Sequence, residues 1–277
     1  MKVKTTSFAQ GHVTGFFKIY PNGSTGAGFN IEKAMKTNVI VEKNAKNSVQ
    51  ILINGKKENA ITSKIVVRKI LAKTKQKYKI KIWHETKFPI GYGLGLSGAG
   101  ALSLSKALNK ALQLKLEKKE VVKIAAEADI EAGTGLGDVI AEQFSGVMIG
   151  KPPYPSKKIA KIPNNYKYAV FAFFGPLSTK KIIRNSGWKR KINKIGTYCM
   201  RALNNERSMR SFIRLCRAFS IETKLASTKV RAVMNEFPES SMAMLGNTAF
   251  VLTNKPEATK KKLKKFTKKI LIGKISK

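Results

Sequence analysis

Between Phe88 and Ala101 the chain reads FPIGYGLGLSGAGA, and ALSLSKALNKAL follows in helical rhythm. A glycine-rich loop opening a helix lets backbone N–H groups approach a phosphate, and the helix N-terminus adds partial positive charge. The loop is not a P-loop, because G-x-x-x-x-G-K-[ST] is absent from the chain. Nor does a strand with an acid about 20 residues on complete a dinucleotide fingerprint. Ser97 stands where the loop meets the helix, and a hydroxyl there can ligate Mg²⁺ beside phosphates. Serine at that position can equally cap the helix. A second cluster follows in EADIEAGTGLGDVIAE, residues 127–142, where Glu127, Asp129, Glu131 and Asp138 crowd together in a chain poor in acids. With Val121, Ile124, Ala125 and Ala128 as the buried face, Asp129 and Glu131 flank it and Glu127 points further out. Gly133, Gly135 and Gly137 then end the helix and deliver Asp138 on a turn, as a general base or metal partner requires.

These residues need a scaffold, and 277 residues with 43% hydrophobic content suit one large domain or two small ones. A strand is expected from Lys4 to Phe17, and KTNVIVEK and SVQILING alternate as the strands of a hairpin. KIVVRKILAK (64–73) fits an amphipathic helix, and YKIKIWHETK a strand entering the glycine loop. Helices are expected near 99–114, 118–131, 188–204 and 209–222, with YAVFAFF (168–174) a buried strand. A strand follows the turn in MAMLGNTAFVLT, and a last helix over PEATKKKLKKFTKK carries Leu263, Phe266 and Ile270 on one face. The composition shifts at KPPYPSKK (151–158), which sets the expected domains at 1–154 and 155–277.

The net charge of +38 raises the question of nucleic acid. Yet Phe88–Gly150 holds six lysines against seven acids, and elsewhere lysine is scattered over turns, strand ends and helix faces. A polyanion site would show arginines, stripes and interleaved aromatics, so the charge reads as surface decoration and nucleic acid is not the expected partner. MKVKTTSFAQ lacks an apolar signal core, and the longest uncharged stretch is too rich in glycine and serine to span a bilayer. With only Cys199 and Cys216, the expectation is a reduced cytoplasmic protein without a membrane partner. His12 and His84 without clustered cysteines argue against zinc.

The loop resembles the second motif of the GHMP kinases, P-x-G-x-G-L-G-S-S-A, through Pro89, Gly91, Gly93, Leu94, Gly95, Leu96, Ser97, Gly98 and Ala99. Leu96 replaces the first serine and Ser97 keeps the second. GTGLGD resembles the S-G-x-D segment that supplies a catalytic aspartate in that superfamily. QGHVTGFF, GSTGAG, SGAGAL, GTGLGDV and SMAMLGNTAF together resemble its archaeal pantoate kinases, enzymes of coenzyme A biosynthesis. The resemblance implies a two-domain α/β fold, ATP and Mg²⁺ as cofactors, and phosphorylation of the small molecule pantoate. It gives residues 91 and 93–99 to the phosphates, Ser97 and Asp129 to the metal, with Glu127 as second choice, and Asp138 to the reacting hydroxyl. Pantoate is expected near Ser24, Lys151 and Thr179. His12 is split evenly between a buried hydrogen-bonding role and a place beside the substrate. The family pattern has glutamate at Asp129, histidine at Ala126, arginine at Lys151 and P-G at Gln10-Gly11. Family members are often dimers, so a homodimer stays open. Two other readings also stay open: a related kinase for shikimate, homoserine or a mevalonate derivative, and a degenerate kinase fold that binds nucleic acid.

Overall fold

In the computed structural model, residues 2–21, 23–135, 137–151, 158–177, 182 and 185–277 are described. The chain forms two compact units that interleave in sequence. The first comprises residues 1–11, 33–88 and 95–142, and the second residues 12–32, 89–94 and 143–277. Two long strands, β1 (Lys2–Tyr20) and β2 (Gly23–Lys43), pass through both.

In the first unit the end of β2 pairs antiparallel with β5 (Tyr78–Glu85), and β5 pairs parallel with β3 (Ser48–Ile53). The two-residue β4 (Lys56–Lys57) adds to β3. The expected hairpin of β2 and β3 is therefore not formed, because β5 lies between them. Burial explains the order: Ile80, Ile82 and His84 of β5 are at most 2% exposed, whereas β3 buries Ile51 alone. The strand with more buried side chains takes the interior, and α1 (Ile61–Leu71) supplies the crossover that parallel strands require. Helices α2 (Leu96–Ala111) and α3 (Lys118–Ala132) pack on α1 and on each other. Short α4 (Asp138–Ala141) closes the unit.

Buried hydroxyls tie α2 to the sheet. Thr37 Oγ1 lies 2.8 Å from His84 Nδ1 and 2.6 Å from Ser103 Oγ, while Ser63 Oγ lies 3.0 Å from His84 Nε2. Ser103 also donates to Ala99 O, in the turn just after Ser97. Burial pushes His84 down to about 4, so it stays neutral and its ring offers one donor and one acceptor. Each ring nitrogen thus has a hydroxyl partner, which leaves the network without a buried unpaired charge.

In the second unit the start of β2 pairs with β6 (Val147–Gly150), which pairs with β7 (Ile159–Ile162), both antiparallel. A four-stranded antiparallel sheet runs β11-β8-β10-β9, from Ile270–Lys274, Tyr168–Pro176, Gly246–Thr253 and Ser240–Met242. Helices α5 (Ser186–Asn205), α6 (Met209–Glu222), α7 (Thr228–Glu236) and α8 (Pro256–Leu263) complete it. Phe29, Phe171 and Phe250 meet in its core, with Phe16 and Phe17 against Phe219. Cys199 and Cys216 are buried free thiols. The last helix is shorter than its lysine-rich pattern predicts. It stops at Leu263, and Ile270 opens β11, whose pairing with β8 gives the backbone sheet partners. No described helix is long and apolar enough to cross a membrane.

Candidate active site

Helix α2 begins at Leu96, earlier than the apolar rhythm implies, with Gly95 as its N-cap at φ 65°. No side chain caps it. Ser97 is therefore not the capping residue; it lies in the first turn with its hydroxyl released for other partners. Gly95 brings no side chain to the first-turn N–H groups, which leaves the helix end suited to an anion.

Those partners come from α1 and from the end of α3. Ser97 Oγ donates to Thr134 Oγ1 at 2.8 Å, and Thr134 donates to Asp129 Oδ1 at 2.7 Å. Thr62 Oγ1 lies 3.1 Å from both hydroxyls. Local sequence explains how Thr134 arrives there. Gly133 adopts φ 70°, its N–H bonds Ile130 O, and Thr134 N–H reaches back 3.2 Å to Asp129 O. This is the Schellman closure that glycine permits, and it folds the next residue over the last turn. Gly135 must then stay bare, because a Cβ there would sit 1.9 Å from Asp129 Oδ2.

Asp129 is 2% exposed, although the helical pattern places it only beside the buried face. Desolvation, then the neighbouring Asp138 charge, raise its carboxyl to about 6, and the Thr134 and Ser97 hydroxyls pull it back. Asp138, partly buried in the first turn of α4, is also raised to about 6, by desolvation. Glu142 lies one turn further on, 3% exposed, and among the described residues neither carboxylate oxygen has a hydrogen-bond partner. Burial raises it well above the ordinary range, as do Asp138 and Asp129, and Lys106 opposes them. Among the described residues none of these three acids has an ion-pair partner within 4.0 Å. Acids that lack a counter-cation, beside a hydroxyl and a helix N-terminus, supply the hard oxygen donors a divalent cation takes. Ser97 and Asp129 fit such an ion.

In the second unit the glycine loop rests on another turn. Gly91 and Gly93 both adopt φ 84°. A Cβ on Gly93 would meet Ala243 O, Gly246 N and Met244 O at 2.8–2.9 Å, and one on Gly246 would lie 2.0 Å from Tyr92 C and O. The MAMLGN segment is thus the support beneath the loop.

Residues 60–146 match the model for the GHMP kinases N terminal domain. A pantoate kinase of Methanocaldococcus jannaschii is 34% identical over 261 residues, spanning 90% of this chain and 92% of that protein. The chain belongs to the GHMP kinases. A pantoate kinase of Methanospirillum hungatei is 28% identical over 94% of this chain and 91% of its own length. A solved structure described as a phosphotransferase related to the CoA biosynthesis pathway superposes with a TM-score of 0.86 at 24% identity. It covers 100% of this chain and 96% of that one, so the two-domain α/β GHMP fold expected from the motifs is the fold observed.

Within this GHMP kinase, Ser97, Asp129 and Asp138 lie in one unit, with Asp129 and Asp138 close enough to interact. Glu127 is instead engaged by Lys69 at 3.0 Å and by Lys123 at 3.8 Å. Lys151 follows β6, whose last residue, Gly150, lies against Thr25, the neighbour of Ser24, since a Cβ on Gly150 would stand 2.8 Å from Thr25 Oγ1. His12 is buried, with Nδ1 2.7 Å from Asn30 Oδ1, and burial lowers it to about 4. It is therefore a neutral, hydrogen-bonded core residue. Thr179 lies outside the described residues. Thr134, Thr62 and Glu142 are site neighbours that motif reading passes over. Glu142 had a signal, since it falls four residues after Asp138 on one helical face; Thr62, distant in sequence, had none.

The raised acids give the kinase a pH signature. The Asp138 carboxyl, lifted from 3.8 to about 6, is protonated further up the scale than an ordinary aspartate. We expect kcat/KM to fall as pH drops through about 6, a free-enzyme quantity. A limb near 4 in the same profile would mean that Asp138 does not titrate with activity.

Proposed function

We propose that this kinase transfers the γ-phosphoryl group of ATP to the primary hydroxyl of (R)-pantoate, giving (R)-4-phosphopantoate for coenzyme A biosynthesis in the cytoplasm. The observation that carries the reading is near full-length similarity to proteins named pantoate kinase, at 34% identity in one case. The acid cluster beside the N-terminus of α2 supports phosphoryl transfer as the chemistry. In this reading the backbone from Gly91 to Ala99 receives the phosphates. Ser97 and Asp129 hold Mg²⁺, which when bound would neutralise phosphate charge.

Asp138 accepts the proton of the acceptor hydroxyl while its oxygen bonds to the γ-phosphorus and the bond to the leaving ADP oxygen breaks. A carboxyl raised to about 6 is ionised at neutral pH yet more basic than an ordinary aspartate, which suits that transfer. The transition state of phosphoryl transfer is loose, so orientation of the hydroxyl matters as much as proton removal. Ser24 and Lys151 enter as acceptor-binding residues on resemblance alone, with Lys151 a point charge for the pantoate carboxylate, and His12 is kept to its buried hydrogen bond with Asn30. The domain division at residues 1–154 and 155–277 belongs to the same reading.

The test is ADP release with ATP, Mg²⁺ and (R)-pantoate beside shikimate, homoserine and mevalonate. Turnover with pantoate alone supports the proposal, and preference for another acceptor replaces the substrate. Silence with all four, from folded protein that binds polynucleotide with steep salt dependence, would replace the enzyme by a binding protein.

A further inference from the structure

Counting protons in the hydroxyl cluster fixes its direction. Thr134 has one hydroxyl proton, and the carboxylate at Asp129 Oδ1, 2.7 Å away, takes it because a carboxylate only accepts. Both lone pairs of Thr134 are then acceptors. Ser97 therefore gives its own proton to Thr134, across 2.8 Å. Ser97 is left with lone pairs only. Thr62, 3.1 Å from each hydroxyl, can donate to Thr134 or exchange a hydrogen bond with Ser97, and neither arrangement makes Thr134 a donor to Ser97. Every proton in the chain points toward Asp129, and the serine oxygen that remains is an acceptor, which is what a cation binds.

We propose that Thr134 is a positioning residue of the cation site, through which the Asp129 charge orients the Ser97 oxygen as a metal ligand. The inference rests on the reading that Ser97 and Asp129 hold the divalent ion. Its basis is the hydroxyl geometry together with the Schellman turn at Gly133, which presses Thr134 onto the carboxylate by two backbone hydrogen bonds. Bare Gly135 leaves Asp129 Oδ2 room to hold its rotamer. Without the threonine hydroxyl, the Ser97 proton is left with the Asp129 carboxylate and Thr62 as acceptors, and its lone pairs lose the direction that Thr134 sets.

The experiment measures Mn²⁺ binding to the full-length protein with a non-hydrolysable ATP analogue, by the electron paramagnetic resonance of free Mn²⁺. The same analogue is titrated without metal by calorimetry. Variants are Thr134→Val, Thr134→Ser, Ser97→Ala and Asp129→Asn, each checked by thermal melting. We expect Thr134→Val to weaken Mn²⁺ on the order of 10-fold or more, the scale of lost outer partners of metal ligands. Metal-free nucleotide binding should be unchanged, and Thr134→Ser should restore the Mn²⁺ affinity. Wild-type Mn²⁺ affinity in Thr134→Val, with Ser97→Ala and Asp129→Asn impaired, overturns the relay and leaves the cation site standing. Normal affinity in all of them brings down the cation site itself. A loss in Thr134→Val that Thr134→Ser does not restore, or one that Ser97→Ala fails to reproduce, also overturns the relay.

Discussion

Asp138→Asn lowers kcat on the order of 10²-fold or more while the KM for ATP changes little. The substitution keeps the volume and the first-turn position in α4 but removes the carboxylate proposed to take the acceptor proton. Burial lifts this carboxyl to about 6, which keeps it ionised at neutral pH while making it a stronger base than an ordinary aspartate. The same change removes one of three neighbouring acids, so the variant should be no less stable than the parent near pH 7. A folded variant with near-normal turnover would take Asp138 out of the chemistry and leave orientation by other groups as the source of rate. Steady-state kinetics with a melting curve separates these outcomes.

Gly246→Ala, far along the chain from the loop motif, is expected to abolish measurable ATP binding and to cost at least about 3 kcal/mol of stability. The new Cβ would lie 2.0 Å from Tyr92 C and O and 2.4 Å from Gly93 N. These are backbone atoms, so relief requires the glycine loop itself to move. Gly93→Ala meets the other side of the same contact, at 2.8–2.9 Å from Ala243 O, Met244 O and Gly246 N, and adds a left-handed φ of 84°. Gly55→Ala is the control. It shares a positive φ of 80° but has nothing within 4 Å, so it should lose only the backbone preference, about 1–2 kcal/mol. Chemical denaturation and nucleotide calorimetry read both quantities. If Gly246→Ala behaves like Gly55→Ala, the MAMLGN turn does not support the loop.

Local pattern carried the reader to most elements, and the misses have physical causes. Alternation in residues 36–43 and 48–53 identifies two strands correctly but is silent on pairing. Their nearness in sequence suggests a hairpin, but β5, with Ile80, Ile82 and His84 buried, lies between them. The run after Pro256 has helical spacing as far as Ile270, yet Ile270 joins the sheet because β8 offers a full ladder of partners. Helix α7 and strands β6 and β7 are short, so although Val230, Val233 and Met234 share one face of α7, each run is too brief for its period to stand out.

The sequence by itself determined the chemical parts: a glycine loop entering a helix, a serine at the junction, and two aspartates separated by a glycine-broken helix end. Those features follow from backbone conformation and residue type, which are local. It could not determine that Thr134 joins Ser97 to Asp129, that Glu142 is buried beside both aspartates, or that Gly246 stands under Tyr92. Nor could it place Glu127 with Lys69 rather than with the other acids. Those are outcomes of where elements distant in sequence pack, and desolvation by that packing is what lifts the two aspartates to about 6.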